Sequence, residues 1–202
     1  MSQPIAVIDL GTNTCNLLIA KTEGRSFEIL YQGKEVVKLG KDRVNLTELS
    51  PAAIDRAVFA LKKHQEKITE FGVELIKTIG TSAIREASNK DCFCSEVERR
   101  TRLKIDVISG EREADLIFKG VKLAFSEIED NSLILDIGGG SNEFILTQNG
   151  CAAWKESFPL GMARIVEKFK ISDPITTEEI GELNAYFESK LESLWRKTEN
   201  IE

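Results

Sequence analysis

Two segments of the chain share one pattern of apolar and polar positions. In the first, the apolar run 5–8 is followed by Asp9-Leu10-Gly11-Thr12-Asn13-Thr14 and then by the apolar run 17–19. In the second, the run 133–135 is followed by Asp136-Ile137-Gly138-Gly139-Gly140-Ser141 and then by 144–146. Short apolar runs bounded by turn residues predict strands. Each segment is therefore predicted to be a strand ending in aspartate, a glycine-rich turn and a second strand.

The first half of the chain predicts several strands and then alternating helices and strands. We expect strands at 5–9, 15–21 and 26–31 and a possible fourth at 35–39, with turns at Glu23-Gly24 and Gln32-Gly33. Ser50 and Pro51 predict the start of a helix that ends at Gly72. The remaining predictions are a strand at 74–79, a short helix after Ser82, a helix at 91–102, a strand at 105–109 and a helix at 111–124.

The second half repeats the beginning of the first. After a polar connection from Glu127 to Asn131 come the second strand-turn-strand segment, a strand at 151–158 and a helix opened by Leu160-Gly161. Asp173-Pro174 predicts a turn, and Thr176 with Glu179 predicts a capping box. The last helix carries one apolar stripe, formed by Ile180, Leu183, Phe187, Leu191 and Leu194.

This order predicts an α/β protein with a mixed sheet. Residues 1–125 are expected to form one complete domain, and residues 126–202 the N-terminal part of a second copy. A second portion of about 75 residues with an open sheet edge would be marginal alone. We therefore expect the chain to be a fragment or to carry an incomplete second domain.

Composition excludes some classes of protein and partner. Of 202 residues, 42% are hydrophobic and 30% are charged, as is normal for a soluble globular protein. We expect no membrane partner, because no apolar run approaches the roughly 20 residues that span a bilayer. The N-terminus has no basic signal-peptide region, so a cytoplasmic location is expected. The net charge of −6 argues against nucleic acid but not against an anionic substrate.

The cysteines and the histidine suggest no separate chemistry. Cys15, Cys92, Cys94 and Cys151 lack the ligand spacing of a zinc site, and ordinary reduced thiols are expected. His64 lies among lysines in a helical pattern, so it is predicted to be on a helix surface rather than to act as a base.

The two glycine-rich turns suggest phosphate chemistry. Backbone N–H groups in such a turn bind phosphate oxygens, and a carboxylate beside them can hold Mg2+. Two such turns facing one cleft would bind a phosphate chain and its metal. The alternatives are a plain tight turn at Gly138–Gly140 and Asx-turns in which Asp9 and Asp136 bond their own loops.

Five motifs then follow one another in a specific order and spacing. They are the two segments above, the second extended by Asn142-Glu143, together with Gly80-Thr81-Ser82-Ala83-Ile84-Arg85, Ile108-Ser109-Gly110-Glu111-Arg112-Glu113-Ala114 and Ser157-Phe158-Pro159-Leu160-Gly161-Met162-Ala163-Arg164. Over essentially its whole length the chain resembles the exopolyphosphatase/guanosine pentaphosphate phosphohydrolase (Ppx/GppA) family. That resemblance implies an actin-like (ribonuclease H-like) fold and membership of the actin-like ATPase superfamily.

The resemblance also implies roles for individual residues. The turns Gly11, Thr12, Asn13, Thr14 and Gly138, Gly139, Gly140, Ser141 match the family's phosphate-binding loops. Glu113 matches the catalytic base, and Arg85 an arginine facing the phosphates. Asp136 and Glu143, with Asp9 at the matching position of the first turn, are expected around Mg2+ or Mn2+. From the residues alone, Glu113 and Glu111 serve a helix N-terminus equally well, and Arg85 could be a solvated helix residue.

The implied activity is release of terminal orthophosphate from inorganic polyphosphate or from guanosine pentaphosphate. Two alternatives are an actin-like ATPase or kinase and a non-catalytic sensor that binds polyphosphate or guanosine tetraphosphate. The sensor is motivated by Asn16, where family members commonly carry Arg or His; Asn142 also replaces a common Thr. A homodimer is a possible assembly.

Overall fold

The computed structural model describes residues 3–24, 26–41, 47–125 and 131–199. They belong to two compact units, Met1–Ser109 and Gly110–Glu202. Of the predicted polar connection from Glu127 to Asn131, only Asn131 lies within the described residues. Among the described helices, none has the length and apolar composition needed to cross a membrane.

The first unit is a mixed five-stranded sheet with helices. Its elements are β1 (Pro4–Leu10), β2 (Thr14–Glu23), β3 (Ser26–Val36), α1 (Pro51–Glu70), β4 (Leu75–Gly80), α2 (Ser82–Arg85), α3 (Lys90–Thr101) and β5 (Ile105–Val107). The strand order is β3-β2-β1-β4-β5. The strands β1, β2 and β3 pair antiparallel, whereas β1, β4 and β5 pair parallel. The predicted mixed sheet is confirmed.

Alternation along the central strand decides where the core lies. Ala6, Ile8 and Leu10 of β1 are at most 1% exposed, whereas the residues between them are half-buried. This is the period of two expected for a strand with one fully covered face. Leu61 of α1 and Phe93 of α3 are buried in the same core cluster as β1.

The predicted boundaries of α1 are confirmed. The Ser50 hydroxyl accepts a hydrogen bond from the Ala53 N–H at 3.1 Å, and Pro51 occupies the first turn. Gly72 follows the helix with φ of 62°, a left-handed conformation that glycine adopts without a Cβ clash. A cap of this kind stabilises a helix by about 1 kcal/mol.

The predicted turn at Gln32-Gly33 and the separate strand at 35–39 are wrong. β3 continues through Gly33, which pairs with Leu17, and ends at Val36. The glycine makes room for a side chain instead, because a Cβ there would lie 2.9 Å from the Tyr31 ring. Gly33 therefore serves packing within β3 and does not mark a turn.

The prediction that His64 lies on a helix surface is also wrong. Its side chain is 3% exposed, and its Nε2 lies 3.0 Å from the Cys15 carbonyl oxygen. His64 follows Leu61 by three residues and precedes Ile68 by four, so it shares their buried face. The helical period outweighed the neighbouring lysines.

The second unit is a three-stranded antiparallel sheet with helices. Its elements are α4 (Gly110–Ala124), β6 (Asn131–Ile137), β7 (Asn142–Gln148), β8 (Cys151–Phe158), α5 (Met162–Lys168), α6 (Thr177–Lys190) and α7 (Glu192–Thr198). The strand order is β6-β7-β8. Lys155 of β8 bonds Asp115 of α4, which lowers the pKa of that carboxyl. Because α4 packs on this sheet, it belongs to the second compact unit, which begins at Gly110. The expected division, in contrast, was after residue 125.

The central strand β7 organises the second core. Residues 142–147 are all buried, so both faces of this strand are covered. Phe144 packs on Phe158 edge to face and joins Leu160 and Leu194 in one cluster. The opposite face carries Lys155 and therefore lies toward α4.

The prediction of one continuous last helix is wrong, whereas its capping box is confirmed. The helix breaks at Leu191, where φ is −100° and ψ is 19°, and α7 begins directly after it. Despite this break, Leu191 and Leu194 are both buried in the core of the second unit. At the start of α6, hydrogen bonds from Ser172 and Thr176 lower the pKa of Glu179 to about 2.

The edge strand β6 differs from its counterpart β1. Within the described chain β6 pairs only with β7, whereas β1 is paired on both sides. Leu133, Leu135 and Ile137 are 45–59% exposed, although the matching β1 residues are buried.

We expect the amides of β6 to exchange faster with solvent than those of β1 in the polypeptide 1–202. Alternate N–H groups on an unpaired edge have no strand to bond, and local opening there costs little free energy. Hydrogen exchange resolved by residue measures this difference. The buried strand β7 is the internal control, and equal protection along β1 and β6 would contradict the prediction.

Candidate functional site

The two glycine-rich turns have the same backbone closure. The Gly11 N–H donates to the Thr14 carbonyl at 2.9 Å, and the Gly138 N–H to the Ser141 carbonyl at 3.0 Å. In each unit the turn joins the first strand to the second. The fit is tighter at Gly138, where a Cβ would lie 2.6 Å from the Ser141 oxygen, against 3.3 Å for Gly11 and Thr14.

The carbonyl groups of the second turn are bound by the start of α5. The N–H groups of Met162 and Ala163 donate to the carbonyls of Gly138 and Gly139 at 3.0 and 2.8 Å. The side chain of Arg164 donates through Nε to the Gly140 carbonyl at 2.6 Å. Three successive carbonyls therefore point toward α5.

The orientation of these carbonyls fixes the neighbouring N–H groups. In a planar trans peptide, the C=O of one residue and the N–H of the next point in opposite directions. The N–H groups of Gly139, Gly140 and Ser141 are consequently directed away from α5. Successive N–H groups with a common orientation form a concave anion site.

The first turn is supported in a matching way by the segment after β3. The Leu39 N–H donates to the Thr12 carbonyl at 2.7 Å. The N–H groups of Val37 and Lys38 both donate to the Asn13 carbonyl, at 2.9 and 3.1 Å. The N–H groups of Asn13 and Thr14 therefore point away from this segment. In both units, the chain leaving the third strand holds the turn.

Glycine at 161 permits the close approach of α5 to the second turn. A Cβ at Gly161 would lie 2.4 Å from backbone atoms of Gly140 and 2.5 Å from Gly139. The absence of a side chain at position 161 therefore serves packing against the turn. The turn and the helix start also touch backbone to backbone.

Asp9 lies at the end of β1, opposite Asn16 on β2. The Asn16 Nδ2 lies 3.4 Å from both the Asp9 Oδ2 and the Thr14 hydroxyl. A neutral amide thus joins the carboxylate to the turn. Cys15, which precedes Asn16 in β2, is fully buried. Burial, together with the charges of Asp9 and Glu35, raises the pKa of the Cys15 thiol to about 12. Its thiol stays neutral near pH 7 and is not a nucleophile.

Arg85 lies at the carboxyl ends of the parallel strands of the first unit. Its Nη1 donates to the Ile108 carbonyl at 3.2 Å, just after β5. The Thr81 N–H donates to the Leu10 carbonyl at 3.3 Å, which joins the segment before α2 to the end of β1. Arg85, Asp9 and the first turn therefore share one end of the sheet, where ligands bind in open α/β sheets.

Asp136 and Glu143 face each other across β6 and β7. Asp136 is exposed, whereas Glu143 is 1% exposed and accepts a hydrogen bond from the Ser157 hydroxyl at 2.6 Å. Glu143 and Ile145 are two residues apart in β7, so they share one face of the sheet, and Ile145 pairs with Lys155 of β8. Asp136, which pairs with Glu143, lies on the same face, and this is the face on which α4 packs.

Glu113 lies in the first turn of α4, half-buried. Glu111 differs, because its side chain is 77% exposed and lies 3.9 Å from the Lys155 Nζ. The structure thus separates two glutamates that the sequence treats alike: Glu111 takes part in a surface ion pair, and Glu113 is the more enclosed.

A divalent metal fits the second unit only in part. Within the part of the chain that the structure describes, no three His, Cys, Asp or Glu side chains lie close enough to hold a metal together. Mg2+ is commonly bound by one or two carboxylates with water and substrate phosphates. Asp136 fits that requirement, Glu143 already accepts from Ser157, and Asp9 belongs to the other unit. The metal role of all three stays a prediction.

The structure therefore brings the predicted residues together in two sets. Asp9, the first turn and Arg85 share the first unit, whereas Glu113, Asp136, the second turn and Glu143 share the second. Sequence reasoning missed two arginines. Arg56 binds the carbonyls of Val37 and Lys38 at 2.7 and 2.9 Å, and Arg164 binds Gly140. Arg164 stood in a quoted motif without a role, and Arg56 had no signal beyond its helix.

Comparison with known proteins gives consistent matches. Residues 18–201 match the Ppx/GppA phosphatase family. A bifunctional 3-dehydroquinate synthase/phosphatase of Fusobacterium nucleatum is 40% identical over 178 residues, 84% of this chain and 27% of that protein. A guanosine-5'-triphosphate,3'-diphosphate pyrophosphatase of Photobacterium profundum is 33% identical over 86% of this chain and 35% of that protein.

A solved structure agrees with the fold over nearly the whole chain. The crystal structure of an exopolyphosphatase from Cytophaga hutchinsonii superposes with a TM-score of 0.93 at 36% identity. The match covers 98% of this chain and 64% of that one. The chain thus spans between about a quarter and two thirds of the length of these three proteins.

Replacing Gly161 by alanine is expected to destabilise the second unit by about 1–3 kcal/mol, because the added methyl group overlaps the backbone of the turn. Both tryptophans, Trp154 and Trp195, lie in the second unit, so urea unfolding followed by their fluorescence reports on it.

The matched control is Gly181→Ala in α6, where a Cβ meets nothing within 4 Å. It should raise stability by up to about 1 kcal/mol through helix propensity. An unchanged midpoint for Gly161→Ala would show that the close contact between the turn and α5 is not a constraint.

Proposed function

The chain belongs to the Ppx/GppA phosphatase family and has the predicted actin-like α/β fold, and we propose that the protein hydrolyses terminal phosphoanhydride bonds. The substrate would be inorganic polyphosphate or guanosine pentaphosphate, and the product orthophosphate. The names of the Photobacterium and Cytophaga relatives support these two substrates.

One observation carries the proposal. In both units the carbonyls of the glycine-rich turn are bound from behind, which directs the N–H groups of residues 13–14 and 139–141 away from the supporting segment. Phosphate oxygens accept hydrogen bonds and donate none when ionised, so they require such an array of donors. A plain turn would not need successive carbonyls turned to one side.

Glu113 would act as the general base of the reaction. Its carboxylate would take a proton from the water that attacks the terminal phosphorus. A bond then forms between the water oxygen and phosphorus, and the bridging P–O bond breaks with its electrons on the shortened chain.

Charge neutralisation would supply most of the rate, since the transition state of phosphoryl transfer is loose. Bound Mg2+ or Mn2+ would offset the charge on the phosphates, with Asp136 as a protein ligand and Glu143 beside it. The guanidinium of Arg85, whose Nη1 donates to the Ile108 carbonyl, would contact phosphate oxygens as a planar cationic donor.

A second candidate, a non-catalytic sensor of polyphosphate or guanosine tetraphosphate, is favoured by one observation. Asn16 contacts Asp9 and Thr14 with a neutral amide, so no cation at this position offsets the charge of a polyanion. Binding of a phosphate chain would persist through the N–H groups of the turns.

Orthophosphate release from polyphosphate, guanosine pentaphosphate and ATP tests the proposed function. Release from either of the first two in preference to ATP supports it. Preference for ATP would indicate an actin-like ATPase, and binding of polyphosphate without turnover would indicate the sensor.

Glu113→Gln is expected to lower kcat by about 10²–10⁴, because the amide cannot accept the proton from water. Substrate affinity should be nearly unchanged, since the proton moves only in the transition state. Steady-state kinetics on the proposed substrate measures both quantities. The control is Glu111→Gln, which removes an exposed charge on the same turn; wild-type turnover by Glu113→Gln would contradict the assignment.

Hydrolysis is expected to depend on Mg2+ or Mn2+ and to stop in excess EDTA. Asp136→Asn should raise the metal concentration for half-maximal activity, because one anionic oxygen ligand is lost. A metal titration of activity measures the shift. Glu188→Gln on the exposed face of α6 is the control; full activity in EDTA would rule out the metal.

A further inference from the structure

One support of the second turn is a direct hydrogen bond from an arginine side chain. The Nε of Arg164 donates to the Gly140 carbonyl at 2.6 Å in a partly buried contact. Hydrogen bonds from a charged donor are shorter and about twice as strong as neutral ones. In the first unit the corresponding arginine, Arg56, binds carbonyls of Val37 and Lys38, one step behind the turn.

We propose that Arg164 is a positioning residue that orients the peptide between Gly140 and Ser141 for phosphate binding. Because this peptide is planar, holding the Gly140 oxygen toward α5 directs the Ser141 N–H to the opposite side. Gly140 has no Cβ, so its own φ and ψ are less restricted than those of other residues. The inference rests on the proposed function, since it takes the second turn to be a phosphate site.

Arg164 differs from the other supports of the turn. The bonds to Gly138 and Gly139 come from the backbone of Met162 and Ala163 and persist whatever side chains stand there. Only the third carbonyl depends on the chemistry of a side chain. A lysine could reach the same oxygen with one ammonium proton, but without the fixed plane of the guanidinium.

A substitution at Arg164 therefore removes the guanidinium hydrogen bond to the Gly140 carbonyl, while the backbone bonds to the Gly138 and Gly139 carbonyls remain. Arg164→Met keeps the length and the apolar stem but removes the donor. Arg164→Lys keeps the charge and one donor. If the guanidinium worked through its charge alone, Arg164→Lys would behave as the wild type.

The test uses 15N-labelled protein and inorganic phosphate as the probe. Phosphate is titrated into the wild type, Arg164→Met and Arg164→Lys while the amide signals of Gly139, Gly140 and Ser141 are followed. Arg196→Met removes an arginine of α7 that is 73% exposed and pairs with Glu192, and serves as the charge control. Leu194→Ala truncates a core residue that is 2% exposed and serves as the stability control.

In Arg164→Met we expect the dissociation constant of phosphate to rise about 10- to 100-fold, the loss of a charge-assisted hydrogen bond. The amide signals of Gly140 and Ser141 should shift even without phosphate, and Arg164→Lys should fall between. Leu194→Ala should lower the unfolding midpoint and leave phosphate affinity unchanged. A purely structural role for Arg164 would not produce that separation.

Two results would overturn the inference. One is phosphate affinity in Arg164→Met equal to that of Arg196→Met, and the other is a wild type whose amides at 139–141 do not respond to phosphate. Failure of the proposed function is distinct, because it would appear as absence of orthophosphate release by the wild type whatever the phosphate titration shows.

Discussion

The structure of both glycine-rich turns depends on the rigidity of the peptide plane. A planar trans peptide cannot direct its C=O and its N–H to the same side. Binding the carbonyls of Thr12, Asn13 and residues 138–140 from behind therefore decides where five N–H groups point. In the proposed function these N–H groups form the anion site, and the turn itself would need no cationic side chain to bind a polyanion.

Other features of each unit follow from the need to bring a supporting segment up behind its turn. In the first unit, residues 37–39 follow β3 and bond the turn, and Arg56 of α1 donates to the carbonyls of Val37 and Lys38. In the second, α5 begins directly at the turn, and Gly161 allows the backbones to touch. Asn142 is buried and its Nδ2 donates to the Leu160 carbonyl, which links the start of β7 to the segment that leads into α5. The two units reach one backbone arrangement through different elements.

The sequence was sufficient for the repeated segment, the mixed sheet, the helix caps at Ser50 and Thr176 and the family, because each depends on local patterns. It failed where packing outweighed a local signal. Gly33 serves the Tyr31 ring rather than a turn, His64 lies in the core despite its lysine neighbours, and the helix after Thr176 breaks at Leu191. Arg56 and Arg164 could not be assigned a role, since their partners are backbone oxygens 18 to 24 residues away in the chain. The roles of Glu113, Asp136 and Glu143 come from the resemblance, and the structure adds only their surroundings.

The most direct test of this account is a crystal structure of the protein with bound tripolyphosphate. The account predicts phosphate oxygens about 2.7–3.2 Å from backbone nitrogens among residues 139–141, on the side away from α5, with the Gly140 carbonyl still bound to Arg164. Phosphates held only by side chains, with a carbonyl of Gly138, Gly139 or Gly140 turned toward them, would contradict it.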